Sequence, residues 1–431
     1  MAHAQGLSGY GASSQAGGRQ SAGLPRALSG GPRSPGGDRR SAPGVARGEG
    51  CETEAGSAAR ACDPAWAGKA LPVGCAAGSA PGRAALVANL GYLQLTRGCL
   101  QDCRFCSNPP SGIGSSPEQL RATIDELVEL GYDGVILTGG EPTLSPLLFP
   151  ALEYATERGL HNRMITNGQL LADRVFFERC VAAGLQHIHV SLHSYRREVH
   201  DFITRHRDAW RTLVDCLALV PEVGITCDVN TVICTYNADH LHETVVWLCE
   251  RFPFLRHFVW NNMDPDGNRA AENPDCIARH RDFVLSLELA MTYLQASGRT
   301  FRAERVPLCF MPRFAASSTE TRKIVKEEER CVQFLDSKGF VRQQEFLHGK
   351  GAACEVCRLD PICAGLFSMA RTFDERELSP IFADPWPVVA EVLGREPSPE
   401  LRARIEARRG RRSLSEQPSQ QQRRIARERP L

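Results

Sequence analysis

The chain has 431 residues, 42% of them hydrophobic, and a formal net charge of +1 at pH 7. This balance fits a globular protein with one large domain and a smaller one, and it gives no sign of a nucleic-acid or membrane partner. No apolar run approaches the roughly 18 residues that a membrane span needs, and no signal peptide is apparent, so a cytoplasmic location is expected. Metal clusters therefore explain the 17 cysteines better than disulfides do.

The first 85 residues differ in composition from the rest of the chain. They contain 18 of the 38 glycines and no Ile or Phe. A segment of this kind cannot bury enough apolar surface to offset its chain entropy. Residues 1–85 are therefore predicted to be a disordered N-terminal segment.

From Leu86 on, short β-rich runs alternate with amphipathic helical patterns. The predicted strands are Leu86–Leu95, Gly134–Thr138, Arg163–Thr166, His187–Leu192, Thr226–Ile233 and Phe258–Asn261. The predicted helices are Pro117–Leu130, Leu147–Arg158, Asp173–Ala183, Ala209–Val220, His240–Arg251 and Ile277–Ala296. This alternation predicts parallel βαβ units. Six units predict an α/β fold over residues 86–299, a partial or closed (β/α)6 TIM-like barrel whose chemistry lies at the C-terminal ends of the strands.

The remaining chain has a different texture. Residues 300–380 show fewer helical signals and are predicted to form a small C-terminal module. Residues 381–431 are predicted to hold a helix and an Arg-rich tail, since the segment from Leu401 on has ten Arg against three Glu. A solvated tail is the plainer interpretation, and a docking patch for an acidic partner is the alternative.

Three cysteines follow the first predicted strand with the spacing C-x3-C-x2-C. They are Cys99, Cys103 and Cys106, and a short loop can turn their sulfurs toward one centre. Thiolates are the usual ligands of iron–sulfur clusters, and three thiolates on four irons leave one iron open for chemistry. A zinc knuckle would need a fourth ligand, and no further Cys or His lies close by in sequence.

The second predicted strand ends in Gly139-Gly140-Glu141-Pro142. Paired glycines let a ligand approach the backbone, whose carbonyls could accept hydrogen bonds from an ammonium group, although a tight turn is the plainer interpretation. Because this motif lies one βα unit after the cysteine loop, the sequence resembles the radical S-adenosylmethionine (SAM) superfamily over about residues 90–270. Within it, the sequence is most similar to the branch of the molybdenum-cofactor cyclase and the SPASM/Twitch peptide-modifying enzymes.

The resemblance implies roles residue by residue. It makes Cys99, Cys103 and Cys106 the ligands of a 4Fe–4S cluster. The SAM-binding residues that it implies are Phe105 at the adenine, Gly139, Gly140 and Glu141 at the amino group, Thr166 and Asn167 at a polar strand end, Ser191, Met263 at the adenine and Arg205 at the carboxylate. Plain structural alternatives are a strand-end hydroxyl for Ser191, core packing for Met263 and a surface cation for Arg205.

A second group of cysteines lies in the predicted C-terminal module. The spacing Cys354-x2-Cys357-x5-Cys363 resembles part of the SPASM signature, although Phe367 stands where that signature continues with a cysteine. The resemblance implies one auxiliary 4Fe–4S cluster with Cys309 as the fourth ligand. Cys331 is the alternative fourth ligand, and a four-thiolate zinc site is the alternative metal.

The implied function is that of a radical SAM enzyme, which cleaves SAM reductively to a 5′-deoxyadenosyl radical and takes hydrogen from a substrate, expected to be a peptide. An electron donor such as flavodoxin or ferredoxin is the implied partner. The alternatives are a small cofactor precursor or RNA as substrate, or a non-catalytic iron–sulfur protein that binds a partner or carries electrons. A mere electron carrier has no need of the glycine motif.

Overall fold

The computed structural model describes residues 89–265, 269–369 and 371–411. The predicted disordered segment, residues 1–85, and the tail beyond residue 411 lie outside the described residues. None of the helices in the described part of the chain is long and apolar enough to cross a membrane.

A single nine-stranded sheet forms the centre of the described chain. Its strands are β1 (Leu90–Thr96), β2 (Gly134–Gly139), β3 (His161–Thr166), β4 (His187–Ser191), β5 (Thr226–Ile233), β6 (His257–Asn262), β7 (Thr300–Glu304), β8 (Arg330–Gln333) and β9 (Phe340–Gln343). Their order is β7-β6-β5-β4-β3-β2-β1-β8-β9. All neighbouring pairs are parallel except β8 and β9.

Helices connect most of the parallel strands. They are α1 (Pro117–Glu129), α2 (Leu148–Glu157), α3 (Arg174–Ala182), α4 (Arg197–Thr204), α5 (Ala209–Val223), α6 (Leu241–Arg251), α7 (Arg269–Glu272), α8 (His280–Ala296), α9 (Thr319–Lys326), α10 (Trp386–Leu393) and α11 (Pro399–Glu406). Local chemistry sets several of their ends. The Ser116 hydroxyl accepts from the Gln119 amide at the start of α1, and Gly224 adopts the left-handed conformation that ends α5.

The two faces of the sheet have different roles. On β4, Ile188 and Val190 point outward into the main hydrophobic core beneath the helices. His189 and Ser191, on the opposite face, line an inner cavity. This alternation follows from the period of two in a strand, and it sends polar side chains to the inner face.

All six predicted strands and all six predicted helices are present, so the α/β prediction with a mostly parallel sheet is confirmed. The sheet, however, extends beyond six strands. Strands β7, β8 and β9 come from the region predicted as a separate small module, and they are only four or five residues long. Runs this short show no clear periodicity in sequence. Strands β7 and β9 are the edges, and no pairing between them closes the sheet within the described residues.

Candidate active site at the carboxyl ends of the strands

A cavity of about 430 Å³ opens where the parallel strands end. In an α/β sheet the loops that follow the strands meet at this edge, so residues distant in sequence converge there. The predicted site residues that line it are Cys99, Cys103, Phe105, Cys106, Gly139, Gly140, Glu141, Thr166, Asn167, Ser191 and Met263. The fold therefore brings the cysteine loop and the glycine motif to one cavity.

The loop that carries Cys99, Cys103 and Cys106, the first cysteine set, is held by backbone hydrogen bonds to α4. The amide of Asp102 donates to the Thr204 carbonyl at 3.0 Å, and the amide of Arg104 donates to the Ile203 carbonyl at 3.0 Å. These bonds fix the backbone on both sides of Cys103. The cysteine loop is thus anchored by a helix about 100 residues later in the sequence.

Hydrogen-bond donors lie close to the Cys99 sulfur. Its Sγ accepts from the Gln101 amide at 3.4 Å and from the Asn167 side-chain amide at 3.6 Å. Burial nevertheless raises the pKa of Cys99 to about 11, and burial also raises the pKa of Cys103 and of Cys106. Three half-buried thiols that face one cavity and whose pKa values are raised need a positive centre to become thiolates, which is what an iron cluster would supply.

The spacing of the first cysteine set is wider than a single ion requires. A tetrahedral zinc with Zn–S bonds of about 2.3 Å holds its sulfurs roughly 3.8 Å apart. Within the described ranges, no three cysteine sulfurs all lie within 4.8 Å of one another. The donor set therefore fits a multi-iron cluster better than a mononuclear zinc.

Gly139 and Gly140 allow the second strand to approach the cysteine loop. The Gly140 amide donates to the Thr96 carbonyl at 2.6 Å, and the Glu141 amide donates to the Gly98 carbonyl at 2.7 Å. A Cβ at Gly140 would lie 2.3 Å from the Gly98 carbonyl oxygen. Two backbone segments thus lie too close together here for a side chain at residue 140. Their contact positions Gly98, the residue just before Cys99.

Glu141 links the ends of β2 and β3. Its Oε1 accepts from the amide and hydroxyl of Thr143 at 3.1 and 2.7 Å and from the Thr166 hydroxyl at 2.8 Å. Its Oε2 accepts from the Asn167 amide at 2.7 Å. Burial raises the pKa of Glu141, and these four donors oppose that rise. Glu141 therefore organises the cavity wall.

The family model of the Radical SAM superfamily matches residues 93–248 of this chain. This chain carries a radical SAM domain. The matched segment contains the first cysteine set, the glycine motif and strands β2 to β5. The sequence resemblance to the superfamily is confirmed.

Curated relatives match the chain over the radical SAM domain. An AdoMet-dependent heme synthase of Methanosarcina barkeri is 29% identical over 156 residues, which are 35% of this chain and 44% of that protein. A PqqA peptide cyclase of Granulibacter bethesdensis is 32% identical over 152 residues, 34% of this chain and 40% of that protein. The chain thus spans less than half the length of these relatives.

Two solved structures show partial structural similarity to this chain. Streptococcus suis SuiB bound to its precursor peptide SuiA has a TM-score of 0.47 and 14% identity, covering 60% of each chain. The anSMEcpe protein with bound AdoMet has a TM-score of 0.47 and 14% identity, covering 74% of this chain and 99% of that one. Similarity at this level carries no argument about function.

The two residues that the resemblance places at the adenine lie close together. Phe105 and Met263 belong to one small buried group with Ile203, and the Phe105 ring packs edge-on against His193 at 5.0 Å. Met263 also contacts the Cys276 sulfur at 3.9 Å. Both side chains therefore pack in a small apolar core and line the cavity as well.

Arg205 does not line the cavity. Its guanidinium donates to the Asn273 side-chain oxygen at 2.7 Å and lies 3.4 Å from the Asp102 carboxylate. Its backbone adopts the left-handed conformation, with φ of 49°, at the end of α4. The structure therefore places Arg205 beside the cysteine loop, where it contacts Asp102.

Several cavity residues were missed by sequence reasoning. Among the other polar side chains of the lining are Tyr92, Gln94, Asn108, His189, Asn230, Asn261, Asp264, Glu304, Arg305 and Arg330. Burial favours protonation of Glu304, but the charges of Arg330 and Arg305 outweigh it and lower the Glu304 pKa to about 2. In the sequence, polar residues two apart on the predicted strands were the only available signal. Glu304 ends β7, Arg305 follows it and Arg330 begins β8.

The second cysteine set (Cys309, Cys354, Cys357 and Cys363) also comes together. Burial and, to a smaller extent, the nearby thiols of the other three members together raise the pKa of Cys309 to about 12. Cys331 lies elsewhere, on β8 beside the Tyr132 phenol. Among the two fourth ligands considered from the sequence, the structure thus places Cys309 with the other three.

Proposed function

We propose that this protein is a radical SAM enzyme that acts on a peptide. The observation that carries the proposal is the convergence of the first cysteine set and the Gly139-Gly140-Glu141 turn on one cavity. When bound, a 4Fe–4S cluster with one open iron supplies the electron that cleaves SAM to methionine and a 5′-deoxyadenosyl radical, which takes hydrogen from the substrate.

Different residues of the chain would hold the cluster and the different parts of SAM. The first cysteine set would hold the cluster, and the backbone at Gly139 and Gly140 would accept hydrogen bonds from the SAM amino group. Glu141 keeps Thr166 and Asn167 at the cavity wall through its hydrogen bonds. Ser191, Phe105 and Met263, which also line the cavity, would contact the adenosine. This arrangement orients SAM and excludes water from the radical.

The substrate class rests on the relatives. Several curated relatives are PqqA peptide cyclases, so a peptide is the first candidate substrate. The heme synthase relative supports a small cofactor precursor as the second. SAM cleavage consumes one electron, so a small donor such as flavodoxin or ferredoxin is the proposed partner.

The second cysteine set would hold an auxiliary 4Fe–4S cluster in a module over about residues 300–380. Four thiols satisfy all four irons, which gives a closed cluster. The proposal is supported by the mutual interaction of the four thiols. The four-thiolate zinc site remains its competitor, and metal analysis separates the two.

SAM cleavage tests the proposed function directly. Anaerobically reconstituted and reduced protein is expected to release 5′-deoxyadenosine, and replacing Cys99, Cys103 and Cys106 with Ala is expected to abolish the release. Cys180→Ala, a buried thiol on α3, is the matched control and should retain it. Undiminished release by the triple variant would overturn the proposal.

A further inference from the structure

Two histidines and an aspartate meet on the inner face of β4 and β5. His187 and His189 are two residues apart on β4 and so share one face of the sheet. Asp228 is the direct register partner of His189 on the neighbouring strand. Their donor atoms all lie within 4.8 Å of one another, the only such group of three or more His, Cys, Asp or Glu residues in the described chain.

The distances suit one metal ion. The Nε2 of His187 lies 2.8 Å from Oδ2 of Asp228, and the Nδ1 of His189 lies 3.5 Å from the same oxygen. A tetrahedral ion with bonds of about 2.0–2.1 Å holds its ligand atoms roughly 3.3 Å apart. The observed distances lie on either side of that value, but the two imidazole rings stack at 4.5 Å with 14° between their planes, so one ring must rotate before both nitrogens point at one ion.

The surroundings leave hydrogen-bonding capacity unused. His187 Nε2, one of the three proposed ligand atoms, is buried and makes no well-formed hydrogen bond in the described part of the protein, although it lies 2.8 Å from Asp228 Oδ2. Unpaired buried polar atoms are costly, and a metal ion with its bound water is one way to satisfy them. The guanidinium of Arg163 on β3 is close enough to interact with Asp228, and it is the competing group that could neutralise this carboxylate without a metal.

We propose that His187, His189 and Asp228 bind one divalent transition-metal ion, with zinc as the first candidate. Imidazole and carboxylate are ligands that zinc accepts, and three protein ligands leave a fourth position for water or an oxygen of a substrate. His189 lines the cavity, so this position is within reach of a cavity-bound molecule. The site is separate from both cysteine sets and does not depend on the proposed SAM chemistry.

Zinc-edge X-ray absorption on the iron-reconstituted full chain, incubated with zinc sulfate and then desalted, tests the proposal without any variant. We expect one zinc per chain with nitrogen and oxygen neighbours at about 2.0–2.1 Å and no sulfur neighbour at about 2.3 Å. Absence of zinc, or zinc with sulfur neighbours alone, would overturn the proposal, whereas added sulfur neighbours would report zinc at the second cysteine set.

Variants locate the site. His187→Gln, His189→Gln and Asp228→Asn are each expected to lower retained zinc at least tenfold while iron content stays at the wild-type level, which reports an intact fold. His280→Gln, a buried histidine of α8 remote from the three ligands in sequence, is the matched control and should retain zinc. Zinc retention by all three ligand variants with wild-type iron would also overturn the proposal, since a hydrogen-bonded His–Asp pair would then explain the geometry.

Discussion

The two cysteine sets offer the same ligand chemistry in opposite surroundings. The first lies on a loop at a cavity whose other walls are glycine backbone and polar side chains. In the second set, Cys309 and Cys354 pack against a buried apolar group of Leu366, Phe373 and Leu378. Closed sites with complete ligand sets are structural, whereas catalytic sites keep an open position. The first set thus lines a cavity with polar walls, whereas Cys309 and Cys354 of the second set pack beside an apolar group.

Each set has a nearby cation: Arg97 opposes the rise in the pKa of Cys106 in the first set, and a buried lysine lies beside the second. Beside the second set, Lys350 and Asp360 form an ion pair of 2.8 Å whose side chains are 2% and 1% exposed. Asp360 accepts a further hydrogen bond from the Gly410 amide at 2.8 Å, so the residues after α11 complete this region. The positive charge of Lys350 opposes the rise in pKa that burial causes at Cys354 and Cys363. The second region thus provides its own cation for its thiols.

Replacing the cysteines of the second set should have the largest effect on the difference between the two regions. Two 4Fe–4S clusters predict about eight irons per chain, and replacing Cys354, Cys357 and Cys363 with Ala should leave about four. SAM cleavage should persist in part, because the first set remains, while turnover of the substrate should be lost. Iron, zinc and 5′-deoxyadenosine are measured on both proteins. About four irons in the unchanged protein, with no iron lost in the variant, would contradict a second iron cluster.

Breaking the buried ion pair should affect mainly the second region. Lys350→Met leaves the Asp360 carboxylate buried without its lysine and should destabilise the protein by about 3–5 kcal/mol. It should also lower the iron content of the second set, which loses its nearby cation. Lys350→Met combined with Asp360→Leu should recover much of the stability, measured by chemical denaturation under anaerobic conditions. Equal iron loss from both sets would show that the regions are not separable.

A glycine substitution tests the first region. Gly140→Ala places a Cβ 2.3 Å from the Gly98 carbonyl oxygen, so the cysteine loop must move. We expect a loss of about 1–3 kcal/mol in stability and a marked fall in SAM cleavage. Gly112→Ala is the matched control, since nothing lies within 4 Å of its added Cβ. A Gly140→Ala variant with unchanged cleavage would remove the proposed role of this close approach.

The smallest expected effect is a pH dependence at the junction between the sheet and the second region. His280 stacks on Phe310 at 4.5 Å and contacts Phe373. Burial lowers its pKa from 6.5 to about 4, although Glu377 Oε2 lies 3.9 Å away. Between these pH values the unfolded chain binds a proton that the folded chain does not, so stability should fall as the pH drops from about 6.5 toward 4.

His280→Phe measures this contribution. Between pH 6.5 and 5.5 the free energy of unfolding should fall by about 1 kcal/mol less in the variant than in the unchanged protein. One bound proton of difference between the unfolded and folded states corresponds to about 1.4 kcal/mol per pH unit. Denaturation curves at both pH values provide the test. Identical slopes in the two proteins would mean that other buried histidines dominate the acid sensitivity.

Much of the sheet and of the first site could be predicted from sequence. Strand β5 has the predicted bounds, Thr226–Ile233, because a long β-branched run between helices has a clear period. The three short strands after residue 300 could not be predicted, since four or five residues carry too little pattern. The contacts of Arg205 with Asp102 and Asn273 could not be predicted, because its position depends on how α4 ends, through a left-handed residue that the sequence does not mark.

By itself, the sequence determined the local properties of this protein: the alternation of strands and helices, the C-x3-C-x2-C loop and the glycine motif that follows the second strand. These follow from residues close together in the chain, whose spacing alone sets their geometry. Only the tertiary structure decided which distant residues meet. It placed Cys309 with the second set, Arg330 beside Glu304, and Asp228 opposite His189. Strand register determines such contacts, and register depends on the packing of the whole sheet.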